Sequence, residues 1–358
     1  MNFKKLGNTD LKVSTICLGT MTWGEQNNQK EAFEQMNYAL NCGINFFDAA
    51  EIYPSPCREE TYGRTEKIIG NWFNQNKNRN KVILASKIAG PGLPWIRDGG
   101  QNFSEQKIKK ALEDSLQRLQ TDYIDLYQVH GPDWFTPMEE TMRALDDLVR
   151  TGKVRYIGCS NYYAWQIVKA NAIADQFHTQ RFISAQHMYN LVRRDIECEI
   201  LPACVDQGMG MLCWSPLASG FLSGRYKREE QPPNGSRISY RKDIDIPRYY
   251  REGAFDIIDE LAVIANETDK SSAQVALAWL LHDHRVTAVI IGPRLVEHAT
   301  NCLVVGDWGL TDEQYERLSN VCPFKHGYPW EWIEMTYGNI GGGEEFTPPH
   351  VHHVMKRG

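Results

Sequence analysis

The sequence predicts a (β/α)8 TIM barrel with a long loop after strand seven and an irregular C-terminal tail. Three observations carry that prediction. Eight short apolar runs, each bounded by turn residues, recur along the 358 residues. Most are near-continuously apolar rather than alternating, as parallel strands buried on both faces require. Most start about thirty to forty residues apart, the size of one strand-helix repeat. A doubly wound sheet is the alternative, but no GxGxxG follows a strand to support it.

The runs are Val13–Gly19, Asn45–Asp48, Lys81–Lys87, Ile124–His130, Val154–Ser160, Phe182–Gln186, Met209–Ser215 and Thr287–Gly292. Helical patterns lie between them. Ser104 is placed to cap a helix whose apolar stripe is Ile108, Leu112, Leu116 and Leu119. Glu139–Val149 repeats the pattern with Met142, Leu145 and Leu148, and Ser271–Leu281 forms a strongly apolar helix before the eighth strand. Lys227–Arg251 is rich in charge, Pro and Gly and reads as a long surface loop of the kind that serves as a lid or binding loop. The barrel is expected over 1–322, with a tail over 323–358 near the active-site mouth.

Composition narrows the function. The chain is 42% hydrophobic and 23% charged, which excludes disorder. Its 39 Lys and Arg against 45 Asp and Glu give a net charge of −6, which argues against a nucleic-acid partner. A mean hydropathy of −0.48 and the lack of a long apolar run argue against a membrane span. The N-terminus, MNFKKLGNTDLKVST, has no apolar core behind its charges and does not read as a signal peptide. Nine scattered cysteines with no CxxC pair suit reduced thiols in a cytoplasmic protein without a zinc site, and Cys17, Cys42 and Cys213 read as core filler. The chain is expected to be a monomer or a homo-oligomer.

Barrel active sites gather at the C-terminal ends of the strands. The second run ends in Asp48, with Tyr53 five positions on; the third ends in Lys87 and the fourth in His130. The fifth ends in Ser160-Asn161, the sixth in Gln186 and the seventh in Trp214-Ser215. A phenol is a poor acid at neutral pH, and a neighbouring ammonium lowers its pKa. Asp48 would keep Lys87 charged, and His130 would orient a substrate oxygen beside Tyr53. This makes a proton donor beside a polarised carbonyl. The missing electron source is a hydride carrier such as a nicotinamide.

The motifs LGTMTWG, GINFFDAAEIY, ASK, TDYIDLYQVHGPD, GKVRYIGCSN, QHMYNLVRR, WSPLASGFLSGRY and IIGPR occur in that order between Leu6 and Leu318. As an ordered set they are specific, and the chain resembles the aldo-keto reductase family. AEIYPSPCREETYGRTEKIIG is similar to the insertion of its Tas-like bacterial branch. The resemblance implies reduction of a small aldehyde or ketone with NADPH, with Tyr53 as general acid and Asp48, Lys87 and His130 around it. It implies that Ser160, Asn161 and Gln186 hold the nicotinamide carboxamide and that Trp214 stacks on the ring. Ser215, Pro216, Leu217, Gly220, Ser223 and Arg225 match the diphosphate belt, and Thr20 and Met21 join the cofactor side of the rim. Gly292 and Arg294 match the grip on the adenosine 2′-phosphate. Here the chain departs from the family, with His298 and Cys302 in place of the usual Gln and Asn, and Asn301 adjacent. Gly131 stands where relatives carry a larger residue, which would widen the pocket floor.

Trp23, Trp95 and Trp134 follow strands one, three and four and suit either an aromatic substrate pocket or ordinary rim packing. Trp330 and Trp332 would cover the same mouth or pack at the barrel edge. His350, His352 and His353 read as a solvated terminal cluster rather than a metal site. The basic stretch Arg225–Arg228 reads as cofactor clasp and surface, its field offset by Glu229 and Glu230. Two other functions compete: a slow-turnover NADP-binding redox sensor or accessory subunit, and a barrel enzyme of another reaction class, such as an isomerase or lyase.

Overall fold

Eight parallel strands close on themselves in the computed structural model, which describes residues 1–89, 93–97, 102–325 and 327–340. A hairpin of β1 (Phe3–Lys5) and β2 (Lys12–Ser14) precedes the barrel. The barrel strands are β3 (Ile16–Gly19), β4 (Phe46–Asp48), β5 (Ile83–Ile88), β6 (Ile124–Val129), β7 (Val154–Ser160), β8 (Phe182–Met188), β9 (Gly210–Trp214) and β10 (Val286–Ile291). They run in sequence order, and β10 closes the ring by pairing with both β9 and β3.

The first run therefore needs a correction. Val13–Gly19 is not one strand, because the chain divides at Thr15 and gives its first part to the hairpin. Leu6 and Val13 pack with Cys17, Phe46, Ala85, Leu126, Leu212 and Ala288, and so seal the N-terminal end of the barrel. The lumen is packed rather than open, which leaves the C-terminal rim as the working face.

The outer layer is helical for the reasons the sequence suggests. In Met138–Arg150, Met142, Leu145 and Leu148 are buried, with Glu139 and Glu140 in the first turn and Arg150 in the last. Ser271 caps Ser272–His282: its hydroxyl accepts from the Gln274 amide, and the Gln274 side chain accepts from the Ser271 amide. Ser104 holds the cap position of Glu105–Leu119, but its side chain makes no cap bond.

The long segment after the seventh barrel strand is more ordered than its composition suggests. Two short helices, Arg237–Tyr240 and Lys242–Tyr249, interrupt it. Ile238, Asp245 and Tyr249 in them are buried. The Arg237 guanidinium rests on Met21 Sδ at 3.8 Å, just past β3, and the Tyr249 hydroxyl on Met188 Sδ at 3.7 Å, at the end of β8. The segment thus spans the mouth between these two strands. In the tail, Trp330–Ile340 is a helix, and the Trp330 indole donates to the Cys198 carbonyl at 3.0 Å. His350, His352 and His353 lie outside the described residues. Among the described residues no helix is long and apolar enough to cross a membrane.

Candidate active site

Parallel register brings the strand ends level. Gly19 pairs with Asp48, Lys87 with Gln128, Ser160 with Gln186 and Met188 with Trp214. Polar residues scattered through the sequence therefore meet at one rim.

Lys87 is fully buried. Its ammonium donates to Asp48 Oδ2 at 2.7 Å, to the Ala49 carbonyl at 2.9 Å and to the Tyr53 hydroxyl at 3.3 Å. A buried charge is costly without such partners. Burial alone depresses the ammonium, but Asp48 and Tyr53 outweigh it and hold its pKa above the ordinary lysine value. His130 stands edge-on to the Tyr53 ring, with centroids 5.9 Å apart. Burial, with the nearby Lys87 charge, keeps the imidazole well below its usual pKa, so it is neutral. Its Nδ1 is buried without a hydrogen-bond partner.

One electrostatic expectation is overturned. Lys87 pulls the Tyr53 phenol down, but burial is the larger effect and the net shift is upward. Tyr53 therefore stays protonated at neutral pH, as a proton donor must.

The other rim residues divide by what holds them. The Gln186 amide donates to Asp48 Oδ1 at 2.8 Å, across the barrel from β8 to β4. Ser160 Oγ donates to the Gln186 carbonyl at 2.9 Å. Asn161 is left-handed (φ 60°), donates to the His130 carbonyl at 2.9 Å and accepts from the Trp214 indole at 3.2 Å. The Thr20 hydroxyl is buried and donates to the Asp48 carbonyl at 2.9 Å, so it braces the carboxylate strand. Met21 carries the Arg237 contact described above. Beyond Trp214 the backbone turns sharply: Ser215, Ala218, Ser219 and Gly220 all have positive φ. Pro216 is buried beneath that turn, Leu217 and Ser223 are half-buried, and Arg225 is exposed.

The adenosine end is partly as expected. Gly292 has open space where a Cβ would stand, and Arg294 and His298 are exposed. His298 has a lowered pKa, first from partial burial and then from Arg225, with Arg294 adding to it. Two cations, Arg225 and Arg294, therefore converge on the His298 imidazole. Asn301 Oδ1 accepts from Ser271 Oγ at 3.1 Å. Cys302 does not join them; its side chain is buried in the apolar layer, which corrects the expectation that it contacts cofactor.

The three tryptophans separate. Trp23 is fully buried, donates from its indole to Gln35 Oε1 at 2.8 Å and faces no pocket. Trp95 is half-buried and meets the Tyr62 ring edge-on at 5.6 Å. Trp134 is 59% exposed and sits beside Tyr163 and Trp165 at 6.2 and 6.4 Å. Gly131 has nothing within 4 Å of its missing Cβ.

Sequence reasoning missed Glu51. It is fully buried, accepts from both Arg97 terminal nitrogens at 2.6 and 2.9 Å and from the Tyr62 hydroxyl at 2.6 Å, and accepts the Ala89 amide. Arg118 lies 3.9 Å from Glu51 Oε2 and donates to Glu66 Oε2 at 2.7 Å. This network fixes the segment after β5 beside Tyr53. The available signal was a carboxylate within the apolar GINFFDAAEIY stretch.

The comparisons agree with this geometry. The model of the aldo/keto reductase family matches residues 15–322. The chain is 39% identical over 339 residues to "Uncharacterized oxidoreductase YrpG" of Bacillus subtilis, covering 92% of this chain and 100% of that protein. It is 35% identical over 312 residues to "Protein tas" of Escherichia coli, covering 82% and 89%. It is 32% identical over 359 residues to "Versiconal hemiacetal acetate reductase" of Aspergillus parasiticus, covering 92% and 100%. With a closed barrel and a rim of this composition, the chain belongs to the aldo/keto reductase family of oxidoreductases.

Proposed function

We propose that the chain reduces an aldehyde or ketone to an alcohol with NADPH, and that Tyr53 gives the proton. The observation that carries this reading is Lys87, whose ammonium touches both Asp48 and the Tyr53 hydroxyl beside a neutral His130.

The rim fits a dinucleotide. Trp214 presents a half-exposed indole held at one edge by Asn161, which suits stacking on a flat ring. The positive-φ turn from Ser215 to Gly220 lets backbone approach a diphosphate closely. Arg294, with His298 beside it, would hold the adenosine 2′-phosphate and Arg225 the diphosphate, since guanidinium forks match phosphate oxygens. That group favours NADPH over NADH. When bound, the reduced nicotinamide supplies the hydride.

The chain's own residues do the remaining work. His130, neutral, donates to the substrate oxygen and orients it. Tyr53 Oη gives that oxygen a proton as negative charge develops. Lys87 stabilises the phenolate left behind, and Asp48 keeps Lys87 in place. The name of the Aspergillus relative, a reductase, supports the reductive direction.

The test is NADPH absorbance decay against a panel of aldehydes, ketones and sugars, with wild type and Tyr53→Phe side by side. Tyr53-dependent decay is expected. NADPH binding seen by fluorescence, with no turnover across the panel, would overturn the enzyme reading in favour of a redox sensor or accessory subunit.

A further inference from the structure

We propose that Met21 and Met188 form a paired oxidation site, where a hydroperoxide converts both thioethers to sulfoxides and so fastens the segment that crosses the mouth. The proposal stands apart from the reductase reading, because its readout is the segment itself.

The argument begins with what holds that segment to the barrel. Its two short helices start at Arg237 and end at Tyr249. Both terminal nitrogens of Arg237 meet Met21 Sδ at 3.8 Å, and the Tyr249 hydroxyl meets Met188 Sδ at 3.7 Å. One sulfur therefore stands at each end of the two-helix stretch. Asp245 and Arg241 both act on the Arg237 charge, so Met21 is a directional partner there and not a counter-charge.

Both sulfurs belong to rigid parts of the rim. The Met21 carbonyl accepts the Ser55 amide at 2.8 Å, and Met188 pairs in register with Trp214. Both side chains are half-buried, whereas Met36, Met142, Met209 and Met211 are buried. Exposure governs which methionines a peroxide reaches.

A thioether is a weak acceptor, and these two contacts are long. On oxidation the sulfur lone pair attacks one peroxide oxygen. The S–O bond forms as the O–O bond breaks, and the leaving oxygen takes the proton of the transferred one and departs as water. Each sulfur gives up two electrons, and each peroxide takes them. Sulfoxidation usually disrupts a methionine contact by making it polar. Here each sulfur already faces a donor. The new oxygen would accept a charge-assisted bond from the Arg237 fork and a bond from the Tyr249 hydroxyl. Oxidation therefore replaces two weak contacts with two stronger ones.

The experiment compares the full chain treated with hydrogen peroxide and left reduced. Peptide mass spectrometry reads the sulfoxide at each methionine. Limited trypsin digestion reads the opening of 227–251, which carries several Lys and Arg. Sulfoxide at both positions is expected, with cleavage of the segment slowed about tenfold or more, because cleavage follows the open fraction. Methionine sulfoxide reductases restore the original rate. In Met21→Leu/Met188→Leu the ratio of treated to untreated rates returns to about one, although Met335, 81% exposed, still meets the peroxide. Tyr249→Phe keeps both sulfurs and loses one donor, so its slowing is smaller than in wild type. Faster or unchanged cleavage of the oxidised wild type overturns the proposal. So does slowing that survives in the double variant, or the lack of sulfoxide at Met21 or Met188. Should the double variant not fold, Tyr249→Phe decides: reduced slowing supports the site, and slowing as large as in wild type overturns it.

Discussion

Gln186 donates its side-chain amide to Asp48 Oδ1 at 2.8 Å, while Lys87 takes Asp48 Oδ2 at 2.7 Å. The two oxygens of one carboxylate therefore serve opposite walls of the barrel. Asp48 is aimed by Gln186 and in turn aims Lys87 at Tyr53.

That relationship predicts a kinetic split for Gln186→Leu. Loss of a hydrogen bond to a charged group costs about 1.5–3 kcal/mol. If the bond mainly orients Asp48, kcat falls about tenfold or more while the KM for NADPH holds. Steady-state kinetics in both substrates checks this. A raised KM with unchanged kcat would instead assign Gln186 to cofactor contact alone.

The Glu51 network predicts a stability effect away from the proton-transfer atoms. Glu51 is fully buried and Arg97 nearly so. Glu51→Gln leaves Arg97 without its counter-charge, and breaking such a pair from one side costs about 3–5 kcal/mol. A clear drop in melting temperature is expected, with greater protease sensitivity at the segment after β5. An unchanged melting curve would remove the network from the account of the pocket wall.

At the adenosine end, Arg294→Ala is expected to raise the KM for NADPH by about tenfold or more and to leave NADH nearly unaffected, because NADH lacks the 2′-phosphate. Parallel kinetics with both cofactors checks it. Equal effects on the two would place Arg294 elsewhere on the dinucleotide.

How much of this was legible depended on how unusual each residue was in its setting. Asp48, Lys87 and His130 stood out because they end apolar runs, where an ionisable group has no packing reason to be. The barrel followed from eight near-continuously apolar runs and their spacing. Trp23 was not legible, since sequence cannot say which face of a rim segment turns inward. Cys302 was misplaced for a related reason: it is one residue from the exposed Asn301 but on the buried side of the same helix. The stretch 227–251 carries charge, Pro and Gly enough to hide two short helices, whose anchors Ile238 and Tyr249 are too few to make a periodic pattern.

The pH profile tests the proton-transfer set as a whole. Tyr53 must be protonated to act, and its pKa is raised above the ordinary 10.0, so the alkaline limb of kcat/KM should fall above that value. His130 must stay neutral to donate to a carbonyl oxygen, and its pKa is held well below 6.5, so no histidine limb should appear near that value. A flat profile between the two is expected. Removing the buried charge pair sharpens the test. In Asp48→Asn/Lys87→Met the cation beside His130 is gone, so the imidazole becomes easier to protonate and its pKa moves up toward the ordinary value. Burial, the larger cause, remains, so the recovery is partial. The His130 ring shifts followed by NMR across pH read this without any need for turnover. An unmoved His130 titration would mean that Lys87 does not act on the imidazole.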